Sequence, residues 1–381
     1  MNRVTATGLA GLSGAMLSLS MLTPSAATSD RPKVGNVQAA LTELAGNPQI
    51  VGAIGEAYVD GELAGKGTAG SRLIGGKGGR IPSGSRYRVG SQTKQMTGVV
   101  ILQLVEEGRL KLDDRLSDLL PEVAEKDLVE RADEITLQQL VQHTSGIPNW
   151  FHPDVVPTFD FTTYYSPMEL VKRSRALPRQ QEPGERFSYS NTNYMLLGLI
   201  IERTTKHSVA AEFERRIFDP VGMDDSYLPT RFPGGIKGPH GHGYFPDDNG
   251  KLRDIDRLNM SYGYAAGGVI STAHDISAFH AAFNKNRLLP EELRKVLQGP
   301  PRNQAPPSPK PSEGGQGGMC GGTIRVSQVK GSAPGFNAAT FATTDGRMQF
   351  ALSVTLAVPN TDDSLQPLLV KAAEAVFCPN E

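Results

Sequence analysis

Apolar positions recur at i, i+3, i+4 and i+7 through residues 30–46 (Val37, Ala40, Leu41, Leu44, Ala45), a spacing that predicts a helix. The run 50–59 (IVGAIGEAYV) lacks that spacing and reads as a strand. Asp60-Gly61 marks a turn, and 62–72 returns as the hairpin partner. Residues 73–84 are glycine-rich and read as loop, and Arg86–Val89 as a short strand. From Ser91 an amphipathic helix runs to about Glu107, where Gly108 stops it. The stretch from about 110 to 290 is mainly helix and loop, with helices predicted at 167–175, 191–205, 208–217 and 273–285. Residues 299–318, rich in Pro, Gly and Ser, read as a surface loop. Strand character returns at 323–329, 337–344 and, past the Asp345-Gly346 turn, 347–357; residues 363–377 read as a closing helix.

Strands at both chain ends around a helical middle predict an α/β fold. An antiparallel sheet flanked by helices is drawn from about 30–110 and 290–381, and an all-helical part spans about 111–289. A cleft between two such parts is where a site is expected.

The first 27 residues change the picture of where the chain works. Arg3 precedes a small apolar run at 8–22, and Ser25 and Ala27 place small side chains at −3 and −1 of a cut after Ala27. This predicts a signal peptide over 1–27, a mature unit of 28–381 and a secreted, extracellular protein; the plainer alternative is a loose tail on a cytosolic one. The apolar run is too short for a membrane span, which takes about 20 residues, so no membrane association is expected once the leader is removed. With 39 Lys+Arg against 40 Asp+Glu there is no basic surface for nucleic acid. Two cysteines are too few for a four-cysteine zinc site. In an oxidising compartment Cys320 and Cys378 can close one disulfide; two separate buried thiols fit the sequence as well.

Three short segments carry candidate chemistry. Ser91 follows Gly90 and opens a helix, with Lys94 one turn on, on the same face. Such a serine is either an N-cap or a nucleophile whose proton an adjacent amine removes. Tyr189-Ser190-Asn191 precedes an apolar helix; Ser190 or Asn191 can simply cap it. A tyrosine near a lysine is also a workable base, because the cation favours its phenolate. Gly331-Ser332-Ala333-Pro334-Gly335-Phe336 follows a strand, where glycine permits close approach of a substrate or marks a plain turn. His240 and His242 stand two apart in a glycine-rich loop with no further ligand cluster evident, so no metal and no cofactor are expected.

Taken together, these stretches resemble the serine β-lactamase/penicillin-recognising superfamily, in its branch of class C β-lactamases and secreted D-alanyl-D-alanine carboxypeptidases. The stretches are Arg88-Val-Gly-Ser-Gln-Thr-Lys94, Leu140-Val-Gln-His-Thr-Ser-Gly146, Pro183-Gly-Glu-Arg-Phe-Ser-Tyr-Ser-Asn191, Gly198-Leu-Ile-Ile-Glu202, Ala265-Ala-Gly-Gly-Val-Ile-Ser-Thr272 and Gly331-Ser-Ala-Pro-Gly-Phe336. The resemblance covers about 35–378 and implies a β-lactamase/DD-peptidase-like fold. It implies Ser91 as the acylated nucleophile, Lys94 and Tyr189 as the proton-shuttling pair, and Asn191 as a hydrogen-bonding partner of the substrate amide. The backbone N–H groups of Ser91 and Ser332 would form the oxyanion hole, and Tyr262 an aromatic lining position. It also implies pairing of Cys320 with Cys378, and for His143 a structural role, packing a loop.

One departure bears on substrate. The third motif of the family opens with His or Lys, then a small residue, then Gly; here the triplet is Val329-Lys330-Gly331. An arginine that the carboxypeptidases keep just upstream is also missing, Arg325 coming after Cys320 rather than before it. Three functions follow. The first is a hydrolase of a D-alanyl peptide, ester or amide through an acyl-enzyme at Ser91. The second is a transacylase passing the acyl group to an amine in a biosynthetic pathway, and the third an inactive ligand-binding homologue. The expected partners are a small-molecule or peptide acyl donor and a water or amine acceptor, and the expected state is a monomer.

Overall fold

The computed structural model describes residues 31–151, 158–179, 181–230, 235–297 and 317–379. The predicted leader at 1–27 and nearly all of the predicted 299–318 loop lie outside them. The strands, in chain order, are β1 (Ile50–Val59), β2 (Glu62–Gly70), β3 (Tyr87–Arg88), β4 (Tyr244–Pro246), β5 (Leu252–Asp254), β6 (Ile270–Ser271), β7 (Gly317–Met319), β8 (Ile324–Ala333), β9 (Phe336–Thr343) and β10 (Met348–Leu356). Six of them form one antiparallel sheet in the order β2-β1-β10-β9-β8-β7. The N-terminal hairpin therefore joins a C-terminal meander along the β1–β10 ladder, as the chain-end strands predict.

Successive side chains of a strand point to opposite faces, so β1, β9 and β10 each feed two cores. Ala53, Ala57, Ala339, Phe341, Phe350 and Leu352 pack with α1 (Val37–Ala45) and with the helix Leu365–Phe377. Ile54, Ala338 and Ala351 pack with α2 (Thr93–Glu106) and the helices Asn191–Thr205 and Ala273–Asn284. With both faces covered, β1 and β10 are buried throughout and read as apolar runs rather than alternations. α2 is apolar nearly all round because it runs through the larger core: Met96, Val99, Val100, Ile101, Leu102 and Leu104 are buried. It ends as predicted: Gly108 takes φ +68°, and Arg109 N–H donates to the Leu104 carbonyl.

The helical middle carries more strand than predicted. β3 pairs with β6, and β4 with β5 across the Asp247–Lys251 turn. β3 lies within the strand predicted at Arg86–Val89, while β4, β5 and β6 are two or three residues long, too short for a periodic signal. Cys320 and Cys378 are disulfide-bonded, tying the β7–β8 turn to the end of the closing helix. Among the described residues no helix is long and apolar enough to cross a membrane.

Candidate active site

β3 leads straight to the serine. Tyr87 and Arg88 pair with Ser271 and Ile270, Val89 N–H donates to the Val269 carbonyl at 3.2 Å, and the chain turns at Gly90 with φ +54°. A Cβ at position 90 would stand 2.5 Å from the Ser332 nitrogen, and one at 331 only 2.0 Å from the Val89 carbonyl oxygen. Glycine at both positions lets β8 lie against the backbone of the nucleophile. Gly90–Gln92 form a 3₁₀ turn and α2 starts at Thr93, so Ser91 makes no capping bond. Of the two roles open to it, the structure removes the cap.

The Ser91 hydroxyl is engaged twice. Tyr189 Oη lies 2.7 Å from Ser91 Oγ, and Lys94 Nζ lies 3.1 Å from it. Lys94 also donates to Asn191 Oδ1 at 2.7 Å and to the Ala266 carbonyl at 2.6 Å. Its side chain is buried, which lowers its pKa well below the ordinary lysine value. Tyr189 comes from the loop before the helix Asn191–Thr205, and its ring lies 4.9 Å from Lys94 Nζ. It keeps 42% of its surface exposed toward the cleft mouth. Burial of the rest pushes the phenol up to about 12, against the lowering effect of its Ser91 hydrogen bond. Burial thus works against the phenolate that a lysine cation would favour, raising the tyrosine's pKa while it lowers the lysine's.

Asn191 is held from behind, because Asn149 Oδ1 accepts both its backbone N–H at 3.0 Å and its Nδ2 at 3.2 Å. Ser332 lies near the end of β8, beside Gly90. Tyr262 is buried, with its ring 6.2 Å from Trp150 and 6.3 Å from Phe151, and all three line the cleft. The cleft measures about 1350 Å³ and takes in Ser91, Lys94, Tyr189, Asn191 and Ser332. The structure therefore brings every predicted site residue to one place.

Val329 and Lys330 are separated by strand parity. Val329 faces Thr340 across the β8–β9 ladder, and Thr340 Oγ1 donates to Gln92 Oε1 at 2.9 Å, beside the nucleophile. Lys330 faces Ala339, which belongs to the core on the other side of the sheet. The side chain of Val329 is thus on the face that bears Gln92, and that of Lys330 alternates to the other, although both residues border the cleft.

Two contributors escaped the sequence reading, and a third was read only in part. The Ala266 carbonyl falls inside a family-like stretch, but a backbone acceptor has no side-chain signature. Asn149 follows the Thr144-Ser145-Gly146 segment by three residues and carried no separate signal. His143 does pack a loop, but that loop is the one that carries the tyrosine. Its ring stacks on Tyr189 at 4.6 Å, its Nδ1 accepts from Ser190 N–H at 3.1 Å, and its carbonyl accepts from Ser188 N–H at 2.7 Å. Burial, and secondarily Lys94, holds its pKa down at about 3.

A serine at a helix entrance, bonded to a lysine one turn on and to a tyrosine from a second element at the edge of an antiparallel sheet, defines a serine hydrolase or acyl-transferring enzyme. The chain belongs to the beta-lactamase family, whose model matches residues 37–375. Among solved structures it is similar to a D-stereospecific amidohydrolase from Streptomyces sp., with TM-score 0.75 and 28% identity, covering 91% of this chain and 98% of that one. It shares its fold with D-amino acid amidase from Ochrobactrum anthropi SV3, solved with L-phenylalanine amide, at TM-score 0.74 and 22% identity over 89% and 97% of the two chains. Among curated proteins, Protein flp of Staphylococcus aureus (strain COL) is 36% identical over 140 residues, 36% of this chain and 27% of that protein. The match thus spans about a quarter of that relative's length.

Proposed function

We propose that the protein is a secreted amidohydrolase that forms an acyl-enzyme at Ser91 from a neutral amide or ester of a D-amino acid or D-amino-acyl peptide. The observation that carries this reading is the double engagement of Ser91 Oγ by Lys94 and Tyr189. A neutral lysine has two N–H bonds and one lone pair. The Asn191 and Ala266 oxygens take the two N–H bonds, leaving the lone pair to the serine proton. Ser91 Oγ attacks the donor carbonyl as its proton passes to Lys94. The carbonyl becomes an oxyanion beside the backbone N–H groups of Ser91 and Ser332. The C–N or C–O bond then breaks, and Tyr189 delivers a proton to the leaving nitrogen or oxygen while Lys94 restores it. Water repeats the sequence in reverse and releases the acid.

The similarity to a D-stereospecific amidohydrolase and Val329 on the catalytic face both support a donor without a free carboxylate. The disulfide supports export to an oxidising compartment. A transacylase is the second reading, favoured by a cleft that leaves room beside a small acyl group for an amine acceptor. Intact-mass measurement with D-phenylalanine amide and its L isomer tests both. An acyl adduct on wild type with the D amide, and none on Ser91→Ala, is expected; adduct formation on Ser91→Ala sinks the assignment. Adding glycinamide separates the acceptors, since a transacylase turns the adduct into dipeptide amide rather than acid.

A further inference from the structure

His240 and His242 do have carboxylate neighbours. Side chains two apart on extended backbone point the same way, and the two rings stack at 5.5 Å with 12° between their planes. The chain then runs through the β4–β5 hairpin and returns Asp254 and Asp256 to them. His240 Nε2 is 2.5 Å from Asp256 Oδ1, and His242 Nδ1 is 2.8 Å from Asp254 Oδ2. One ligand atom each from His240, His242 and Asp256 lie within 4.8 Å of one another.

The hydrogen-bond count at His240 asks for a cation. Its Nδ1 is 2.6 Å from the Gly238 carbonyl oxygen, which can only accept, so Nδ1 carries the proton. A neutral imidazole then presents a lone pair at Nε2, facing a carboxylate oxygen at 2.5 Å. Two electron pairs do not stay at that separation without positive charge between them. At this spacing that charge is a second proton; a metal ion takes its place once the pair opens to about 3.3 Å, the span of two bonds of about 2.0–2.1 Å at a tetrahedral angle. A second proton creates an imidazolium against a parallel ring that has its own carboxylate partner, and charging both rings sets like charges face to face. One divalent ion serves both rings with neither protonated. An Nδ1–H bonded to a backbone carbonyl is also the outer-shell arrangement that presents Nε2 as a ligand. Arg72 and Arg88 approach nearby, but each bonds a main-chain oxygen, of His240 and of Asp256, and leaves the carboxylates to the cluster.

We propose that His240, His242 and Asp256 bind a zinc ion, with Asp254 orienting His242. Two imidazoles and a carboxylate are a donor set that zinc accepts and calcium or magnesium does not favour. None of the three residues lines the cleft, so the ion is structural. It clamps the β4–β5 excursion to the segment carrying Asp256, whose carbonyl holds Arg88 three residues before the nucleophile.

The test uses the full untagged chain, stripped with a chelator and titrated with zinc chloride alone. One zinc per chain should bind, and at about a hundred times the dissociation constant the folded-to-unfolded ratio should rise about 100-fold. Calcium chloride should produce no comparable rise. His242→Ala, at a partly exposed site, and the near-isosteric Asp256→Asn should each abolish stoichiometric binding while retaining the wild-type circular dichroism spectrum. Zinc binding that is absent, or unchanged in both variants, overturns the proposal and leaves His240 and Asp256 as a proton-bridged pair. An equal response to calcium overturns the nitrogen-ligand assignment.

Discussion

Replacing Val329 by lysine or histidine probes why this cleft should prefer neutral donors. The β8–β9 register sets position 329 on the face where Thr340 meets Gln92, so a cation built there enters the catalytic side of the sheet. A carboxylate entering the cleft loses water and needs charged or multiple donors in exchange. Valine offers none. A hydrogen bond to a charged group contributes about 1.5–3 kcal/mol, which converts to roughly 10- to 150-fold in rate or affinity. The assay is the acylation rate constant for a matched pair, an acetylated D-alanyl-D-alanine and its C-terminal amide, with wild type, Val329→Lys, Val329→His and the size control Val329→Leu. Wild type should favour the amide. The lysine variant should gain about 10- to 150-fold on the acid and little on the amide. The leucine variant should leave the ratio unchanged. A wild-type preference for the acid, or an equal gain on both substrates, refutes the reasoning and assigns carboxylate recognition to another residue.

Lys94→Ala and Tyr189→Phe should each slow acylation by about 10²- to 10⁴-fold, and the double variant should be little slower than either, because one proton passes through both. Fully additive losses in stopped-flow acylation would show that one of them is only structural. Cys320→Ser should cost about 4 kcal/mol in urea unfolding, the chain-entropy value for the 58-residue separation, and wild type should titrate no thiol until reduced. Burial holds His143 at about 3 and His280 at about 4, below the roughly 6.5 of an unfolded histidine. The unfolded chain therefore takes up protons first. Stability should be full above about pH 6.5 and fall toward pH 4 by about 1.4 kcal/mol per unit per histidine; His143→Phe should shallow that slope, and an unchanged slope would exclude His143 as a source.

What could be read from the chain was local. The helices at 167–175 and 191–205 lie where periodicity set them, and α2 stops at the glycine that ends its pattern. Strand ends shifted by a few residues at most in β1, β9 and β10, because their apolar runs are bounded by turns. β3 was read as a short strand, but its partner β6 and the pair β4–β5 were illegible for the opposite reason: they are distant or very short, and nothing in a two-residue segment declares a ladder. The histidine–aspartate cluster was missed similarly. His240 and His242 stand two apart in the sequence, but Asp254 and Asp256 reach them only because a hairpin of unremarkable composition folds back.

The proton arrangement at Ser91 shows the same boundary inside the site itself. The spacing of Ser91 and Lys94 is a helical fact, and it predicted their contact. The charge on Lys94 is a tertiary one. In sequence a lysine is a cation, and beside a cation a tyrosine leans toward phenolate. In the fold, α2 is enclosed, Lys94 is buried, and its amine bonds the oxygens of Ser91, Asn191 and Ala266. Desolvation penalises charge on both partners at once, so the pair settles toward amine and phenol rather than ammonium and phenolate. His143 fits that environment. Held neutral by the same burial, its flat ring packs on Tyr189 without adding a charge that would drag the phenol's proton away. A neutral amine is a competent base and a neutral phenol a competent acid. The apolar packing that hides the network from sequence rules is therefore what divides the two proton-transfer roles.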